Sequence, residues 1–96
     1  MSAELAAIFG DAHRGPLATL AGLTPVDVAA VRRHAHREES RGAHGMAGDA
    51  YRVAIALSPT DIAAWRGLGR CLRRAGEERA AADVERAATL LAERLR

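Results

Sequence analysis

Thr24-Pro25-Val26-Asp27 returns as Ser58-Pro59-Thr60-Asp61, and the 34-residue offset holds along the chain. Gly42 returns as Gly76, Ala47 as Ala81, Ala54 as Ala88 and Leu57 as Leu91. Each repeat opens with a hydroxyl residue, a proline and then an aspartate. This reads as a helix start: the hydroxyl caps open amides, proline suits the first turn, and the carboxylate favours the positive helix end. Each repeat carries a glycine midway, where a first helix can close in the left-handed conformation. The chain is therefore expected to be all-α, with a helix, a glycine turn and a second helix in each of two repeats, 24–57 and 58–91.

Ninety-six residues bound this to one domain with a small core. Large core residues are few: Phe9, Tyr51 and Trp65 are the only aromatics, and alanine is the commonest apolar residue. Alanine favours helix but buries little area. All fourteen basic residues are arginine, and Lys, Asn and Gln are absent, as the codon bias of a GC-rich genome would produce. The net charge of +2 thus points only weakly to an acidic or nucleic-acid partner. One cysteine, Cys71, excludes an internal disulfide and fits a reducing compartment. No stretch approaches the ~20 apolar residues of a membrane span. The N-terminus carries Glu4 where a secretory signal would carry bases. A cytoplasmic protein is expected.

Residues 1–23 read as an N-terminal capping or oligomerisation region. Within it, a helix over 2–9 brings Leu5, Ile8 and Phe9 to one face, and Pro16 to Leu23 adds a further helical turn. The repeat helices are expected over 25–41, 43–57, 60–75 and 77–94. The first has an inward stripe of Val28, Val31 and Ala35, which then meets Glu38 where a large apolar residue is expected. The third has the cleanest stripe: Ile62, Trp65, Leu68, Gly69 and Leu72. Trp65, the largest side chain, is expected to anchor the core between the repeats.

The succession Ala47, Tyr51, Ala54, Pro59, Trp65, Leu68, Gly69 and Leu72 resembles the tetratricopeptide repeat family. That family's pattern is small, aromatic, small, proline, then tryptophan, leucine, glycine and a large residue. Val31, His34, Ala35 and Glu38 in the first helix depart from it, as does Glu85 in the last, where an aromatic is usual. The resemblance implies antiparallel helix hairpins and a protein-binding surface. Over 17–91 the chain also looks like the small tetratricopeptide chaperones of bacterial type III secretion, on the stretches Leu20 to Val31 and Trp65 to Leu72. That likeness implies a chaperone that holds a secretion substrate or an apparatus component.

The resemblance assigns partner contact to the inner helices. There Arg66, Arg70 and Arg73 share one face at i, i+4, i+7 spacing, and Arg32, His36 and Glu39 (or Ser40) hold the equivalent positions in the first repeat. Guanidinium grips carboxylates in two-pronged fashion, so this face suits an acidic or C-terminal carboxylate ligand. The competing reading is a solvated arginine face paired with Glu77, Glu78 or Asp61. His34, His36, Glu38 and His44 lack the four convergent ligands of structural zinc; His34 and Glu38 are expected to pair with each other or to meet a partner. No nucleophile elbow, phosphate loop or zinc-protease motif occurs, so neither an enzyme nor a cofactor is expected. A protein-holding chaperone or adaptor leads, with a structural subunit of a larger complex and a nucleic-acid binder as alternatives. Because two repeats supply little burial, a homo- or hetero-oligomer is expected.

Overall fold

The computed structural model describes residues 25–96, which form four α-helices and no strand: α1 (Pro25–Ser40), α2 (His44–Leu57), α3 (Ile62–Arg74) and α4 (Glu78–Arg94). The expected helix at 2–9, the turn at 16–23 and the region 1–23 as a whole lie outside the described residues. Each helix packs on the next, and α3 also touches α1. No helix among the described residues is long and apolar enough to cross a membrane.

The first helix of each pair ends in the same way. Gly42 and Gly76 take φ of 83° and 82°. The amide that follows each reaches back five residues: Ala43 N–H donates to the Glu38 carbonyl at 2.9 Å, and Glu77 N–H to Leu72 at 2.9 Å. The glycine amides donate to Glu39 and Arg73 at 3.0 and 3.1 Å. These are two Schellman ends 34 residues apart, and they close the last-turn carbonyls that a helix end leaves open. The start of α1 agrees with the sequence reading, and that of α3 differs from it. Pro25 is the first residue of α1, as expected, whereas α3 begins only at Ile62, past Pro59 and Thr60, with Asp61 as its N-cap. The Asp61 carboxylate accepts from the Ala64 amide at 3.3 Å. Ser58 instead closes α2, its amide donating to the Ala54 carbonyl at 2.8 Å.

The core is built from Ala35, Ala47, Tyr51, Ala54, Ala64, Leu68, Cys71, Leu72 and Ala81. Its largest fully buried side chain is Tyr51 rather than Trp65. Trp65 is only partly buried, and its indole N–H donates to the Pro59 carbonyl at 2.8 Å, against the turn before α3. Gly67 explains the exchange: the three atoms nearest to where its Cβ would stand all belong to the Tyr51 ring. The ring therefore lies flush on the α3 backbone, a seat that only glycine leaves open. Gly69, two residues on, faces α4, where a Cβ would come 2.9 Å from Glu85 Cγ. Helix α3 is thus buried on two sides, by Gly67 and Cys71 toward α2 and by Gly69 toward α4.

Candidate functional site

Helices α1 and α3 run beside one another and leave a groove of about 670 Å³ between them. From α1 it is lined by Arg32, Arg33, His36 and Arg37, and from α3 by Ile62, Ala63, Arg66 and Arg70, with Tyr51 of α2 also reaching it. No carboxylate is among these lining residues. The concentration of bases follows from the repeat: Arg32 and Arg66, and His36 and Arg70, are pairs at the 34-residue offset, so the two helices present basic residues at matching heights.

Two of the five guanidinium groups are engaged from within the protein. Arg70 grips Glu39 of α1 with both prongs, Nε to Oε2 at 2.7 Å and Nη2 to Oε1 at 3.0 Å. The Tyr51 hydroxyl donates to the same carboxylate at 2.7 Å, and His36 Nδ1 stands 3.7 Å from it. The Arg70 hydrogen bonds, followed by that of Tyr51, outweigh burial and hold the Glu39 carboxyl down to about 2. Burial first, and then Glu39, pushes the Tyr51 phenol up to about 12. Arg70 is held still more firmly protonated, chiefly by its hydrogen bonds to Glu39. Arg32 donates to Asp61 at 2.6 Å, so the carboxylate that caps α3 also ties it to α1.

Arg33, Arg37 and Arg66 are exposed and make no ion pair among the described residues. They leave the groove an uncompensated positive field, which focuses anions toward it.

Of the six residues singled out from the sequence, Arg32, His36, Arg66 and Arg70 come together as groove lining. Glu39 sits beneath them as the counter-ion of Arg70. Arg73 lies elsewhere. It pairs with Glu78 and Glu85 on the α4 side, with Nε to Glu85 Oε2 at 3.3 Å. Spacing fixed the direction of its Cβ but not the reach of its long side chain. Arg33 and Arg37 are lining residues that the α3-based pattern passed over, although i, i+4 spacing along α1 marks them as neighbours. The expected His34–Glu38 pair is not formed: Glu38 is buried and takes Arg41 at 3.4 Å, while His34 is exposed. No three His, Cys, Asp or Glu side chains converge as a metal site among the described residues. Burial raises the Cys71 thiol to about 11, which keeps it protonated and unreactive at neutral pH.

Comparison with protein-family models, curated proteins and solved structures finds no match. The groove's own chemistry therefore carries the functional argument.

Proposed function

We propose that this chain is a tetratricopeptide-like adaptor or chaperone that holds a partner protein by an acidic segment laid in the α1–α3 groove. The observation that carries the reading is the trio Arg33, Arg37 and Arg66, three exposed guanidinium groups on facing helices with no ion-pair partner among the described residues. Guanidinium pairs with carboxylates at close to twice the strength of a neutral hydrogen bond. The paired glycine ends of α1 and α3 support the hairpin-repeat reading. A type III secretion chaperone is the narrower form of the proposal, resting on the sequence likeness alone. Assembly with a second copy or with the partner is part of it, since Leu90 and Leu95 of the last helix and its end are each 54 % exposed.

A basic groove also attracts nucleic acid, but single strands are held by stacking on exposed rings. Of the two rings that line the groove, Tyr51 is buried with its hydroxyl engaged, which leaves the imidazole of His36 as the single exposed one. The test is a fluorescence-anisotropy titration with labelled deca-glutamate, deca-lysine and a decathymidylate. Saturable, salt-sensitive binding of deca-glutamate, tighter than that of the oligonucleotide, is expected. Equal or tighter binding of the oligonucleotide, or no binding of deca-glutamate, refutes the reading.

A further inference from the structure

Glu39 stands out among the acidic residues by its position. It is a carboxylate of α1 beneath the lining of a basic groove, 16 % exposed, gripped by Arg70, which lines that groove from α3. The grip is two-pronged, with both oxygens used, which is how a guanidinium takes an incoming carboxylate. The Tyr51 hydroxyl completes the seat.

We infer that Glu39 is an internal competitor for the groove's acidic ligand. It occupies Arg70 as a ligand carboxylate would, and so leaves Arg33, Arg37 and Arg66 to read the partner. This rests on the proposed groove function. Arg70 is then silent toward the ligand, because gaining a ligand carboxylate there means giving up Glu39. Arg32 is withdrawn in the same way by Asp61. The competition sets which partners the groove accepts. An acidic segment therefore meets the three arginines that have no ion-pair partner among the described residues, and gains a fourth only where Glu39 is removed.

The same contacts also tie α1 to α3, so a purely structural Glu39 must be told apart from a competitor. The two roles move affinity in opposite directions. Glu39→Gln releases Arg70 and removes a negative charge from beneath the groove, so deca-glutamate should bind about tenfold tighter even as thermal stability falls. Arg66→Gln, at an exposed position, should bind more weakly and show a shallower salt dependence than wild type. The double variant Glu39→Gln with Arg70→Gln replaces two mutually cancelling charges by two amides. It should bind within about twofold of wild type, since a silent pair has been removed. Circular dichroism at the titration temperature verifies helix content, and the double variant decides the question if the single one is too unstable to titrate.

Affinity that is unchanged or lower in Glu39→Gln overturns the inference, as does a double variant as weak as Arg66→Gln. Either result, with wild type still binding, leaves the groove reading intact. Failure of wild type to bind deca-glutamate removes the groove reading itself.

Discussion

Tyr51 and Gly67 form the contact on which most of the packing turns. The ring lies on the α3 backbone where any Cβ would overlap it, and it is only 1 % exposed. Gly67→Ala is therefore predicted to cost several times the ~1 kcal/mol that the change would otherwise gain in helix propensity. Gly48 is the internal control: a Cβ there would meet Cys71 Cβ at 3.6 Å and Leu68 at 3.8 Å, which is ordinary contact. Gly48→Ala should stabilise by ~0.5–1 kcal/mol. Urea denaturation of the two variants checks both signs. Glu39 makes a pH prediction. Arg70 and Tyr51 favour its ionised form in the fold, from an ordinary 4.5 down to about 2. Its contribution is thus complete above about 4.5 and disappears as pH falls toward 2. Melting curves between pH 5 and 2 should fall more steeply for wild type than for Glu39→Gln. Trp65 and Tyr51 also show where the sequence misleads. Size and stripe position favoured Trp65, but a ring's depth depends on the gap opposite it. That gap is Gly67, on the face of α3 away from the stripe.

The repeat was legible at the level of elements because backbone conformation is locally encoded. Gly42 and Gly76 end their helices with the same hydrogen bonds because both adopt positive φ, which glycine takes without strain. Gly42→Ala and Gly76→Ala are each predicted to lose ~1 kcal/mol or more, readable by thermal melting. The start of α3 was less legible, because Ser58, Pro59 and Asp61 are each plausible beginnings. Asp61 prevails as the cap because its carboxylate satisfies the Ala64 amide and meets Arg32 at once. Asp61→Ala should cost ~1–2 kcal/mol, more than a cap alone, since Arg32 also loses its partner. The second buried face of α3 escaped the sequence reading because Ala64, Gly67 and Cys71 are small and leave no apolar stripe. The groove was legible as an arginine face on α3. Part of its other wall was legible too, as Arg32 and His36 on α1, whereas Arg33, Arg37 and the diversion of Arg73 to Glu78 and Glu85 depended on how helices meet and how far side chains reach.

For the molecule as a whole, six alanines, one tyrosine, two leucines and a cysteine make up the buried apolar set of the described residues. Such a core offsets chain entropy narrowly. Leu90, Leu95 and Met46 remain at least half exposed. If a second copy or partner covers them, stability is linked to concentration. The melting temperature should then rise with protein concentration, and sedimentation should give more than a monomer at micromolar levels. A sharp monomer whose melting temperature ignores dilution contradicts this. The groove is a claim about location as well as charge, and location is most directly read by chemical-shift mapping. Nitrogen-15 protein titrated with deca-glutamate should show its largest shifts at the backbone and Nε signals of Arg33, Arg37 and Arg66. Signals from α4, including Glu78 and Arg79, should stay in place. Shifts centred on α4, or spread evenly over all the arginines, would contradict a binding groove between α1 and α3.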